Sequence, residues 1–255
     1  MENHKMNAFY FKLIAIITMV IDHAAIALLS EPCVNFIKSN PNLSMFNWPR
    51  DILLMYCAYQ IMRAIGRIAF PIFCFFIVEG FVHTKNVKKY ATRIFIFALI
   101  SEIPFDLACF KKLFYIKYQN VMFTLFIGLM TLCLLKLIEQ KCSDKPKTRI
   151  ACTFIAITLG CVVAHLLKTD YSYYGVLAIS LMYLFNDLKP MKLMSGFIAL
   201  ISTSILVVIP FSLLALYNGE RGRSIKYFFY AFYPVHLLIL YLIAIKIYGN
   251  YVIFP

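Results

Sequence analysis

Apolar runs separated by short charged breaks fill this chain from one end to the other. Read between the breaks, they fall near residues 13–29, 64–82, 94–110, 121–137, 150–167, 173–186, 194–216 and 227–245. A helix rises 1.5 Å per residue, so most of these runs can cross a hydrocarbon core of about 30 Å. The pattern predicts an all-α polytopic membrane protein with about eight transmembrane helices in one bundle. The run 173–186 is short and flanked by Asp170 and Asp187, which predicts a tilted, thinned or re-entrant helix. Residues 51–62 (DILLMYCAYQIM) are apolar but too short to cross, and are expected to lie at the interface before the second span. The first run contains Asp22 and His23 and leads into further spans, unlike a signal peptide's short uncharged core, so it is expected to be retained.

Composition narrows the class further. Hydrophobic residues make up 62% of the chain and charged residues 15%, against ~25% charged in soluble domains. The mean hydropathy is +0.78. Eight cysteines are scattered without a CxxC pair or a Cys/His cluster, so neither a disulfide framework nor a metal site is expected. A net charge of +13 would suggest nucleic acid in a soluble protein. Here the cations sit in loops, where anionic lipid and the orientation rule account for them and no nucleic-acid partner is expected. With the N-terminus inside, the inner loops collect the larger share of Lys and Arg; Arg221, Arg223 and Lys226 are counted outside and Lys246 inside. That bias predicts a multi-pass protein of the cell membrane with both termini cytoplasmic. No repeat, low-complexity tract or soluble domain interrupts residues 1–255, which read as a single membrane domain.

Ionisable groups in the middle of apolar runs carry the candidate chemistry, because such positions are costly in a bilayer and mark functional sites. Asp22 and His23 lie about 14 Å into the first run, and His236 lies at a similar distance into the last. A histidine at that depth can serve as a general base or proton relay. Glu102 and Asp106 are four residues apart on one helical face around Pro104, and Arg63 and Arg67, with the same spacing, are the expected partners. Asn120, Asp170, Asn218 and Arg221 fall at the outer ends of runs and are candidates for shaping a substrate entrance. The basic stretch 83–93 is expected to meet lipid headgroups.

Several stretches carry a family resemblance: KLIAIITMVIDH (12–23), the segment 63–108 with its GRIAFPIF and SEIPFDL elements, DYSYYGVL (170–177), LYNGERG (216–222) and KYFFYAFYPVHLLIL (226–240). On these the chain resembles the TraX family, the pilin acetylases of conjugation systems and their relatives. The resemblance implies membrane acyl transfer, since TraX proteins are similar to integral membrane acyltransferases that modify sugars and to the lysosomal heparan glucosamine acetylase. It implies acetyl-CoA, or another acyl-CoA, as donor on the cytosolic side. The Arg63 to Arg67 spacing is similar to an RxxxR element of the sugar acyltransferases.

The expected function is transfer of an acyl group to an amine or hydroxyl on a peptide, glycan or lipid, which of these remaining open. His236 or His23 would take the acceptor proton, Asp22 or Glu102 would support that imidazole, and Arg67 with Arg63 would hold negative charge. An acyl-histidine or acyl-cysteine intermediate is a variant. A proton- or ion-coupled transporter uses the same residue types at the same depth, and a non-catalytic assembly factor is the third class.

Overall fold

A computed structural model describes residues 6–223 and 226–249, with the side chain of Lys226 outside the description. Residues 1–5 and 250–255, which contain both chain termini, lie outside it as well. The described residues form α-helices joined by short turns, as expected where every backbone group must find a partner without water. Five stretches are long and apolar enough to cross a membrane: Ala8–Ser39, Arg50–His83, Val121–Lys141, Pro146–Leu166 and Tyr227–Tyr248. Five such stretches among the described residues do not confirm a count of eight, for three local reasons.

The first two stretches are longer than the apolar runs suggest. α1 (Ala8–Ala24) passes through a π-helical turn, Ala25–Leu29, into α2 (Ser30–Ser39). α3 (Arg50–Gly66) and α4 (Ala69–His83) are nearly continuous, so residues 51–62 are the first half of a 34-residue stretch and not a separate interfacial segment. The break between them at Arg67 and Ile68 has a covalent cause. Pro71 lacks the N–H that would bond the Arg67 carbonyl, and the chain closes with tighter bonds from Arg67 N to Ala64 O and Ile68 N to Ile65 O.

α5 (Val87–Phe110) is long enough to cross, but Lys88, Lys89, Arg93, Glu102 and Asp106 set it apart from the five apolar stretches. Asn86 caps its start and a left-handed Lys111 ends it. α6 (Val121–Lys141), α7 (Pro146–Leu166) and the 13-residue α8 (Ser172–Leu184) follow as neighbours.

The run 194–216 is not one span. α9 (Lys189–Leu200) and α10 (Val208–Leu214) fold back on each other through residues 201–207. Their outer ends meet, because the Lys189 ammonium donates to the carbonyls of Ala215 and Tyr217 at 2.7 and 2.6 Å. The pair is a hairpin of half-length helices packed on α4 and α8.

α11 (Lys226–Tyr248) runs parallel to α1. Phe9 meets Phe229, His23 meets His236, and the Tyr248 hydroxyl donates to the Leu28 carbonyl. Met6 and Gly249 thus lie at opposite ends of the bundle; the two termini, expected on one face, lie outside the described residues. The loop 216–222 belongs to the Met6 end, where Met6 N donates to Leu216 O and Ala8 N to Glu220 O. Arg221, Arg223 and Lys226 therefore leave the outer set and join the end that holds residues 83–93.

The core draws side chains from most of the helices, with Phe11, Ile72, Phe75, Leu129, Ile179, Met182 and Leu237 at most 2% exposed. Its aromatic members Phe11, Phe75, Phe76 and Tyr217 pack edge to face or tilted near the Met6 end.

Candidate functional site

Asp22, His23, Arg63 and His236 sit at the middles of the long helical stretches that carry them, and the packing of α1, α3 and α11 brings them together. Arg63 Nη1 lies 2.6 Å from Asp22 Oδ2. Gly66, one turn on from Arg63, lets α3 approach α1 there, since a Cβ at that position would overlap the Asp22 carboxylate. His23 and His236 are both buried, and their rings join through Nδ1 of His23 and Nε2 of His236 at 2.7 Å. Tyr233 presents its edge to both rings.

The remaining polar residues form a second layer toward the far end. Asn120 caps α6 through Met122 N, and its amide donates to the Glu102 carboxylate and to the Ala98 carbonyl. Asp106 accepts from Tyr115 N at 2.7 Å. Asp170 accepts from the Tyr118 hydroxyl at 2.8 Å, and its own carbonyl receives the Thr124 hydroxyl. Arg67 Nη1 is 3.3 Å from the Tyr171 hydroxyl, and Tyr171 stacks on Phe70 with centroids 3.7 Å apart. Lys168, Tyr171 and Ser172 all adopt positive φ, so the turn carrying Asp170 is held in a strained shape by these bonds. Loss of water around the Asp170 carboxyl pushes its pKa above the ordinary value, against the Tyr118 hydroxyl, Arg67 and Arg63.

Asp22, Glu102 and Asp106 each keep one buried carboxylate oxygen without a hydrogen-bond partner among the described residues. Such acceptors are rare in finished cores and call for a donor. Among the described residues no three His, Cys, Asp or Glu side chains converge closely enough to hold a metal ion.

The expected pairings do not form. The arginines do not pair with Glu102 and Asp106; Arg63 takes Asp22, and Arg67 takes Tyr171. Neither Asp22 nor Glu102 hydrogen-bonds a histidine; their bonds run to Arg63 and Asn120. Asn218 and Arg221 lie at the Met6 end, away from the rest. Asn218 there lines a cavity of about 260 Å³ with Glu79, Asn186, Lys189, Lys192 and Tyr217. Tyr118, Tyr171, Tyr233, Thr124 and Gly66 escape a reading of charges alone. Gly66, Tyr171 and Tyr233 do fall inside the stretches that carry the family resemblance, which is the sequence signal for them.

Fold and site together define an all-helical membrane protein with a buried, ionisable cluster joining its longest helices. The TraX family model, described as "TraX protein", matches residues 9–244, and the chain belongs to that family. A probable fimbrial assembly protein FimC, serogroup H1, of Dichelobacter nodosus is 29% identical over 268 residues, covering 94% of this chain and 96% of that protein. No solved structure matches the chain.

Proposed function

We propose that the chain transfers an acetyl or other acyl group from an acyl-CoA to an amine or hydroxyl acceptor. The observation that carries the reading is the buried histidine pair beside the Asp22–Arg63 ion pair: a proton acceptor next to fixed positive charge. In the reaction the acceptor N–H or O–H attacks the thioester carbonyl, and a histidine of the pair takes the proton. The C–S bond then breaks, and the departing CoA thiolate takes up a proton. Arg67 is held by a phenol and not by a carboxylate, so its guanidinium suits the developing oxyanion. The partnerless oxygens of Asp22, Glu102 and Asp106 suit N–H or O–H donors of the acceptor. Asn120, Tyr118 and Asp170 would border its path from the far end.

Residues 83–93 and the relocated Arg221, Arg223 and Lys226 make the Met6 end the cation-rich one. Under the positive-inside rule that end is cytoplasmic and the Gly249 end faces out, across the cell membrane. The relative named for fimbrial assembly makes a surface-filament subunit a reasonable acceptor, alongside other peptides, glycans or lipids.

The test is thermal stabilisation of detergent-purified protein by acetyl-CoA and longer acyl-CoAs, with Arg67→Ala and His236→Ala forms beside it. Specific stabilisation by acyl-CoA, absent with adenosine phosphates of similar charge, supports the reading. No stabilisation by any CoA ester in folded protein removes it and favours proton- or ion-coupled transport.

A further inference from the structure

The two histidines are not equivalent, and their hydrogen bonds assign the roles. His236 Nδ1 lies 2.8 Å from the Phe232 carbonyl one turn back on α11. A carbonyl only accepts, so this nitrogen carries a hydrogen. In a neutral imidazole the other nitrogen then holds a lone pair. His236 Nε2 is therefore the acceptor of the 2.7 Å bond, and His23 Nδ1 is its donor.

By the same rule His23 Nε2 is a bare lone pair, because the bond to His236 engages the other nitrogen of that ring. The ring centroids lie 5.0 Å apart with planes 20° off parallel. That spacing fits an N–H···N bond running in the plane of both rings, along the lone pair, and not a face-to-face stack. Phe232 lies nearly parallel to His236 at 5.2 Å, and Tyr233 edges both imidazoles, so neither ring can turn over without displacing an aromatic neighbour.

The geometry points to His23 Nε2 as the atom that takes the acceptor proton, with His236 as a positioning residue that fixes the tautomer. This rests on the acyl-transfer reading for its chemistry but not for its tautomers. When Nε2 gains the proton, His23 Nδ1–H still donates to His236, and the new charge is shared along a bond already formed. His236 does the orienting that a carboxylate does in a serine-protease triad, without placing a negative charge there.

A glutamine amide offers one donor and one acceptor at a spacing close to that of the imidazole nitrogens. His236→Gln can thus bond both the Phe232 carbonyl and His23 Nδ1–H, whereas His236→Leu can bond neither. Transfer from acyl-CoA is measured for His23→Gln, His236→Gln and His236→Leu in folded protein. His23→Gln should lose about 10²–10⁴-fold, the worth of a general base. His236→Leu should lose about 10²-fold or more through the wrong tautomer. His236→Gln should recover most of that loss, to within about tenfold of the native rate. Equal loss in His236→Gln and His23→Gln, or loss in His236→Gln alone, overturns the assignment.

A second measurement needs no activity. Nitrogen-15 spectra of histidine-labelled protein should show His23 protonated at Nδ1 and bare at Nε2, and the same for His236. The reverse tautomers overturn the inference. If the native protein transfers no acyl group, the function proposed above falls while the spectra still decide the tautomers.

Discussion

Replacing Gly66 by alanine tests the junction that holds the ion pair in place. Gly66 ends α3 directly across from Asp22, and an added methyl would occupy the space of its carboxylate. Elsewhere in a helix the change from glycine to alanine gains about 1 kcal/mol. Here overpacking costs about 1–3 kcal/mol. Prising the carboxylate from Arg63 forfeits a charge-assisted hydrogen bond worth about 1.5–3 kcal/mol. The expected net effect is a loss of about 1.5–5 kcal/mol. Reversible unfolding in mixed detergent and dodecyl sulfate micelles measures it, in the native chain and again with Asp22→Ala, where no carboxylate stands in the way. On that second background the penalty should shrink by at least about 1.5 kcal/mol. Gly66→Ala that stabilises the native chain, or costs the same on both backgrounds, would show that α1 and α3 do not meet this way.

Three further outcomes follow from the same reasoning. Lys192 is 3% exposed with its ammonium 2.5 Å from the Glu79 carboxylate, so Lys192→Met should destabilise by about 3 kcal/mol in the same assay. Adding Glu79→Gln should restore most of that, and a neutral single variant would remove the argument. Lys168 is exposed with φ of 54°, so Lys168→Gly should raise the unfolding free energy by about 0.5–1 kcal/mol; a drop would mean that its side chain is needed. Single cysteines at Gly219 and Gly249, where a side chain meets nothing within 4 Å, should react with an impermeant reagent from opposite faces of sealed vesicles once the native cysteines are replaced. Reaction from the same face would refute the parallel course of α1 and α11.

What the sequence makes legible here is depth, and what it hides is adjacency. Asp22, His23 and His236 can be placed at the middles of helices by counting, because each apolar run has ends marked by charges. Their partners cannot be counted, since a residue's periodicity says which face it is on but not which helix that face meets. Glu102 and Asp106 share a spacing with Arg63 and Arg67, yet Gly66 brings α3 onto α1, and Arg63 finds Asp22 first. The same limit explains the run that is not one helix. The apolar run 194–216 reads alike whether it crosses once or folds back, because hydropathy is blind to direction. The difference lies in the tip Ser202-Thr203-Ser204, where the Thr203 hydroxyl donates to Leu200 O and the Ser204 hydroxyl accepts from Leu206 N. Those two side chains satisfy backbone groups that a straight helix would satisfy itself, and so a turn can exist where the apolar run alone predicts none. Once the run folds back, α11 must start from the Met6 end. That reversal sets His236 beside His23 in parallel helices and moves Asn218 and Arg221 away from the site.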